Sequence, residues 1–370
     1  MPRHTVRPYQ SGDRSAVFEV LRAVWGTSTA SGLEALWEWK VERGPCVSVR
    51  AAPTLVLEGE GGIQGLMSAI AVNLKVHERV VPATYVCDFV THPECRGTGQ
   101  LLARRFMKTP TVLLGAPGPV AHQLSIRMGF AQPSMLDSHV RIVRADRVLR
   151  SKTRCAALAA TGGWLWKAAG GVSARFRRVG ADAGVTVRAL DHFDERFDAL
   201  WRRVAPDYPV TVVRDRPYLT WRFVDTPERC YRFGVAERAG EVEGYVVFCS
   251  RPREGLVYGH VVDFLVDRRN PGARDALLSY ATEKLEAMGV DLVTSYACSR
   301  DAFFGEGFKR CGFPFSKPKR PIIAWDGTGV VGATTLARAE DWFFTRGDSD
   351  IDMEGESAMS RVAPPTPPVE

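Results

Sequence analysis

Apolar positions along this chain switch between a strand-like and a helix-like period, and the switches come in the same order twice. TVRPY reads as a short strand, and from Asp13 to about Val24 the residues Val17, Val20, Leu21 and Val24 share one helical face. GLEALWEWKVERGP reads as a second helical stretch, stopped by Gly44-Pro45. Strand patterns follow in PTLVLEG, in IQGLMSAIAVNLKVHERVV with a turn near His77 to Arg79, and in PATYVCDFVT. THPECRGTGQLL then leads into a short helix from Gln100 to Lys108. Strand TVLLGA, a helix opening near Gly118, the pair Gly129-Phe130 and strand HVRIVRA close the series.

The order restarts at VTVRAL. Helices DERFDALWRRVA and RPYLTWRFVDTP, strands YRFGVAE and VEGYVVFCS, and then VVDFLVD repeat the first series, placing Trp221-Arg222 opposite Trp39-Lys40 and Asp263 opposite Asp88. Helix DALLSYATEKLEAMG, strand DLVTSYA and Gly312-Phe313 complete the match. A repeat of this length predicts two similar domains side by side, 1–147 and 184–326, joined by a linker at 148–183 and followed by an extension at 327–370. Within the linker, CAALAATGGWLWKAAGGV is apolar with basic flanks. It reads as an interdomain helix, with peripheral membrane contact as the lesser reading. The extension carries Trp342, Phe343 and Phe344, then the acidic GDSDIDMEGES and a Pro-rich end expected to be disordered.

Composition narrows the ligand class only slightly. A net charge of +7 and a pI of about 9.0 suit an anionic ligand: a phosphorylated cofactor, nucleic acid or a membrane surface. The aromatic residues are not interleaved with basic ones as a nucleic-acid stacking platform requires, so no nucleic-acid partner is expected. The eight cysteines form no CxxC pair and no Cys/His cluster, which predicts reduced thiols and no metal. The polar start MPRHTVRPYQ and the lack of a long apolar run complete the expectation of a cytoplasmic protein.

The chemistry-bearing stretch is the glycine loop. A strand that ends at Pro93 and turns through Arg96-Gly97-Thr98-Gly99 into a helix presents unpaired backbone N–H groups at a helix N-terminus. The helix dipole adds positive charge, and the glycines allow close approach, so the loop suits a pyrophosphate. It is neither a GxxxxGK[ST] loop nor a GxGxxG turn, since GTGQLL lacks the third glycine.

HPECRGTGQLL followed by GPVAHQLSIRMGF gives strand, P-x-x-R-G-x-G, helix, strand and a helix ending in Gly-Phe. This resembles the GNAT superfamily of acyl-CoA N-acyltransferases over residues 5–147, and more weakly, through the repeat, over 184–325. The resemblance implies an α/β (α+β) fold of the GNAT type in tandem, each unit a mixed, mainly antiparallel sheet flanked by helices. It implies acetyl-CoA or a longer acyl-CoA as donor, without a metal. The pyrophosphate would lie on the backbone of Arg96, Gly97, Thr98, Gly99, Gln100 and Leu101, with the pantetheine arm along Phe89, Val90 and Thr91. An N–H of that strand would stabilise the oxyanion. Asp88 is the candidate base or amine ligand, Ser125 stands where the family often has its acidic Tyr, and His122 lies on the same helix as Ser125. Departures are Leu101 in place of a small residue, the short helix after the loop and the missing Tyr. In the second copy NPGAR replaces ECRGTG, so that copy reads as having lost the cofactor. The expected activity is acetyl transfer to a primary amine, a small molecule or an amino sugar of a surface-polysaccharide pathway. The alternatives are a non-catalytic binding or regulatory protein and a Fem-like aminoacyltransferase fed by aminoacyl-tRNA.

Overall fold

The computed structural model describes residues 4–45, 53–95, 97–152, 184–227, 230–350 and 352. Most of the proposed linker and the Pro-rich end, like Arg96, fall outside the described residues. The first series gives strand β1 (Thr5–Pro8), helices α1 (Arg14–Trp25) and α2 (Thr27–Trp37), then β2 (Leu55–Gly59), β3 (Gly62–Val76) and β4 (Arg79–Thr91). After these come α3 (Gly99–Phe106), β5 (Val112–Gly115), α4 (Pro119–Arg127) and β6 (Ala131–Ile142). The second series supplies β7 (Val185–Leu190), β8 (Val210–Val212), β9 (Arg232–Arg238), β10 (Glu241–Arg253), β11 (Leu256–Val266), β12 (Leu292–Cys298) and β13 (Phe315–Asp326). Between them lie helices, the longest of which is Pro271–Ala287.

Twelve of the thirteen described strands run in one path, β1-β2-β3-β4-β5-β13-β6-β12-β11-β10-β9-β7, and β8 pairs with β3 off it. Most neighbours are antiparallel; β4–β5 and β11–β12 are the parallel pairs among them. The two series are therefore joined by exchange. Strand β6, read from the sequence as closing the first unit, pairs with β12 and β13 of the second, and β13 pairs with β5 of the first. Local periodicity is the same whichever copy a strand joins, so the pattern of residues could not reveal this. The exchange covers the edges that β5 and β12 would otherwise expose.

A matching device holds the junction on the helical side. After α2 the chain makes a π-helical turn at Glu38–Glu42, and the second copy does the same at Thr220–Val224. These turns stack Trp39 on Trp221, with ring centres 4.5 Å apart and planes 11° from parallel. Each indole N–H donates to the other residue's carbonyl, Trp39 to Trp221 O at 2.8 Å and Trp221 to Trp39 O at 3.3 Å. One cluster of buried apolar side chains accordingly runs through both series, from Val72, Tyr85 and Leu114 to Phe233, Val261 and Leu277.

Residues 342–349 and Asp352 are buried inside the molecule, and Asp350 is nearly so. Trp342, Phe343 and Phe344 are buried, and Phe343 N donates to Val210 O at 2.9 Å while Thr345 bridges Ala297 of β12. The following carboxylates each meet a buried cation: Asp348 meets Arg214 at 2.5 Å, Asp350 meets Lys40 at 2.6 Å and Asp352 meets Arg222 at 2.6 Å. This segment, residues 341–352, is called the strap below; its residue 351 is not described.

Candidate functional site

Strand β4 pairs in parallel with β5 only from Ala83 to Tyr85, after which the two diverge. A cavity of about 900 Å³ opens at that point. Its first-unit walls include Val86 to Phe89 on β4, Gly115 to Gly118 after β5, Leu33 and Leu36 of α2, and Leu124 and Ser125 of α4. Its far wall belongs to the second unit and the strap, with Tyr258, His260, Thr294, Tyr296 and Arg346. Tyr85 stands at the fork, where its hydroxyl accepts from Ala116 N at 3.1 Å.

The register between β3 and β4 slips at this point: Met67 faces Phe89, but Ala69 faces Val86, so Cys87 and Asp88 together oppose Ser68. This is a β-bulge, a device that re-aims backbone groups. His92 N donates to Gln64 O at 2.7 Å and Asp88 N donates to Ser68 Oγ at 3.1 Å. Amides alternate edges along a strand, so those of Phe89 and Thr91 face the open gap while that of Val90 is turned toward β3. A free strand edge of this kind can take an extended amide-bearing ligand as an added strand.

At the end of that edge lies the glycine loop. Gly97 has φ of 89°, a conformation that side chains disfavour. A Cβ at Gly99 would come within 3.1 Å of the Phe89 ring. Thr98 does not cap α3: its hydroxyl donates to Cys95 O at 2.6 Å. The amides of Thr98 and Leu101 are bonded within the turn, to Cys95 O at 3.2 Å and Thr98 O at 2.9 Å. The equivalent helix Pro271–Ala287 in the second copy is capped, with Asn270 Oδ1 accepting from Ala273 N at 3.0 Å. Nor is the second copy's gap open. Thr345 of the strap bridges Ala297 and donates its hydroxyl to Asp263 Oδ1 at 2.6 Å, while Phe343 packs on Phe264 and Phe304.

Of the candidate catalytic residues, Asp88 and Ser125 border the cavity and His122 does not. Asp88 Oδ2 accepts from Lys40 Nζ at 2.8 Å and from Ser68 Oγ at 2.5 Å, which leaves Oδ1 without a bond among the described residues. Ser125 Oγ donates to Ala121 O at 2.9 Å, four residues back along α4. His122 Nε2 pairs with Gln132 Oε1 at 2.7 Å, away from the cavity.

Three neighbours of Asp88 were not singled out from the sequence: Lys40, Cys87 and Asp350. Burial works against the Lys40 ammonium, but Asp350 and Asp88 outweigh it and hold the group well above the ordinary lysine range. Burial likewise opposes the Asp350 carboxylate, and Lys40 overcomes that, leaving it below the usual range. Burial, then Asp350, pushes the Cys87 thiol up, so it stays protonated and weakly nucleophilic. The one signal in the sequence was the matching Trp39-Lys40 and Trp221-Arg222, which now appear as paired buried cations of the two copies.

Comparison with known proteins agrees with this geometry. Residues 5–110 match the family model described as an acetyltransferase (GNAT) domain. No curated protein matches the sequence. Among solved structures, a conserved Enterococcus faecalis protein described as a probable N-acyltransferase is similar with a TM-score of 0.60 at 12% identity, over 88% of this chain and 73% of that one. A GCN5-related N-acetyltransferase from Anabaena variabilis gives a TM-score of 0.57 at 12% identity, over 88% and 73%. N-myristoyltransferase of Saccharomyces cerevisiae, solved with bound myristoyl-CoA and inhibitors in one case, gives 0.51 at 15% identity, over 87% and 79%. Identities this low speak for the fold alone. The chain thus has a GNAT-type fold, and its residues 5–110 match the model of a GNAT acetyltransferase domain.

Proposed function

We propose that this protein transfers an acyl group, acetyl or longer, from acyl-CoA to a primary amine, using one donor site in the first unit. The observation that carries this reading is the open edge of β4 beyond Tyr85, running to the uncapped N-terminus of α3. In this reading the pyrophosphate lies against the glycine loop and the pantetheine pairs with the amides of Phe89 and Thr91. The thioester then reaches the bulge at Cys87-Asp88. An amide of this strand holds the carbonyl oxygen as the amine attacks and the tetrahedral oxyanion forms, a contribution of about 3 kcal/mol for one well-placed donor.

Asp88 receives the acceptor's ammonium at Oδ1, the oxygen facing away from Lys40 and Ser68, and takes its proton directly or through water. Collapse of the intermediate breaks the C–S bond and expels the CoA thiolate, whose conjugate acid has a pKa of about 8.5 by analogy with cysteine. Such a group leaves without a strong acid, which fits the absence of the family's Tyr. The Ser125 hydroxyl proton is committed to Ala121 O, so water is the simpler proton source. Trp37 and Trp39 are packed inside and offer no stacking face to an amino-sugar acceptor.

The test is thiol release from acetyl-CoA and longer acyl-CoAs with a panel of amines. Wild type should turn over with some amines, and Asp88→Asn should lower kcat by about a hundredfold or more. Binding of acyl-CoA without turnover of any amine would favour the non-catalytic reading. Transfer from aminoacyl-tRNA but not acyl-CoA would favour the Fem-like one.

A further inference from the structure

The cavity is lined in part by a buried cation that has no ion pair among the described residues. Arg346 is 7% exposed, and its guanidinium carbon lies 4.0 Å from the centre of the Tyr296 ring. It borders the cavity, its Nε is buried without a hydrogen bond, and its side chain has no ion pair or hydrogen bond among the described residues. The strap that carries it has carboxylates close by in sequence, yet each is committed elsewhere: Asp348 to Arg214, Asp350 to Lys40 and Asp352 to Arg222. Tyr231 also donates to Asp352. A buried charge left without an ion pair is unfavourable unless something answers it.

Arg251 and Arg253 border the same cavity, and Glu254, the acid beside them, is exposed and paired with Arg253 at 3.5 Å. His260, whose Nδ1 is 2.8 Å from Thr294 Oγ1, is held well below the ordinary histidine range by burial and then by Arg346, Arg251 and Arg253. It therefore stays neutral and does not compete with Arg346 for an anion.

We propose that Arg346 binds an anionic group, a carboxylate or a phosphate, of the acceptor, so that the acceptor is an amine that also carries an oxyanion. This rests on the acyltransferase reading above. The donor's own phosphates belong at the glycine loop in that reading, and the loop's residues are not among those lining the cavity. Arg346 lines the cavity from the strap, four residues before Asp350, which shares Lys40 with Asp88. An acceptor spanning the cavity meets a carboxylate with its ammonium and a guanidinium with its anion. A fork of donors stacked on an aromatic ring is suited to a planar or tetrahedral oxyanion.

The experiment uses the full chain and pairs of amines alike except for the anion: β-alanine against propylamine, and phosphoethanolamine against ethanolamine. Wild type should prefer the anionic member of at least one pair by about tenfold to a hundredfold in kcat/KM, the range for a hydrogen-bonded charge. The pair that shows the preference tells carboxylate from phosphate. Arg346→Gln should abolish the preference chiefly through KM, Arg346→Lys should restore part of it, and both should bind acetyl-CoA as wild type does. No preference in wild type, or a preference that survives Arg346→Gln, would overturn the proposal. So would a loss of acetyl-CoA affinity in Arg346→Gln, which would hand the residue to the donor. If wild type binds no acyl-CoA the acyltransferase reading fails, and the anion site is then read by NMR of the Arg346 Nε–H during titration with inorganic phosphate. A saturable shift supports the site and its absence overturns it.

Discussion

Burial gives single residues of this protein opposite electrostatic fates, and pH separates them. His139 lies on β6 at the exchange seam, stacked on Phe308 at 4.4 Å, with Nδ1 buried and unbonded. Burial, with Lys309 adding to it and Asp137 opposing, lowers its pKa from 6.5 to about 4. Between those values the unfolded chain binds a proton at this position and the folded chain does not. Stability from this group is therefore whole above pH 6.5 and falls as the pH drops toward 4. The full difference is about 3 kcal/mol at 1.36 kcal/mol per unit. His139→Phe keeps the ring and removes the titration, so the slope of urea stability against pH across that window should flatten. An unchanged slope would place the acid sensitivity elsewhere. Asp350 acts in a lower window: its pKa is depressed below 3.8, so its contribution is present above that value and is lost as the pH falls through the depressed one.

At the scale of the element, the strap decides whether the junction is held together. It supplies carboxylates to Arg214, Lys40 and Arg222, whose side chains are at most 3% exposed. Asp350→Asn should cost about 1–3 kcal/mol in urea unfolding, because Lys40 keeps only Asp88 as a charged partner. A chain ended after Ala337 should fail to reach a cooperative fold, since buried Arg222 then loses its anion while Arg214 and Lys40 keep only Asp263 and Asp88. Cooperative unfolding of that shortened chain at the wild-type midpoint would contradict this. The strap is also where reading the sequence stopped short. Helices α1 and α4, the glycine loop and the pairing of Asp88 with Asp263 were legible, because each rests on a local period, a turn residue or a repeated neighbour. The acidic stretch could not be placed from the sequence because the cations of Asp348, Asp350 and Asp352 stand 134, 310 and 130 positions away along the chain. The exchange of β6 and β13 was hidden for the same reason: it changes the partner of a strand and leaves its period alone. Asp88 could be placed beside the cavity in advance, but Lys40 and Ser68 on its Oδ2 oxygen could not.

At the scale of the whole molecule, two series of like elements follow one another and differ at corresponding places. Stacked Trp39 and Trp221, matched π-helical turns and exchanged strands keep the frame similar in both. In the first copy the gap beside the central strand is open and the helix after it is uncapped. In the second, the strap enters the gap and Asn270 caps the helix. The central claim is that this asymmetry makes one donor site per chain, in the first copy. Calorimetric titration with acetyl-CoA tests it most directly, with wild type beside a Gly97→Glu, Gly99→Glu variant shown to unfold cooperatively. The account predicts one site per wild-type chain and no binding by the variant. Two sites, a variant that binds like wild type, or no binding of acetyl-CoA and longer acyl-CoAs by the folded wild type would contradict it.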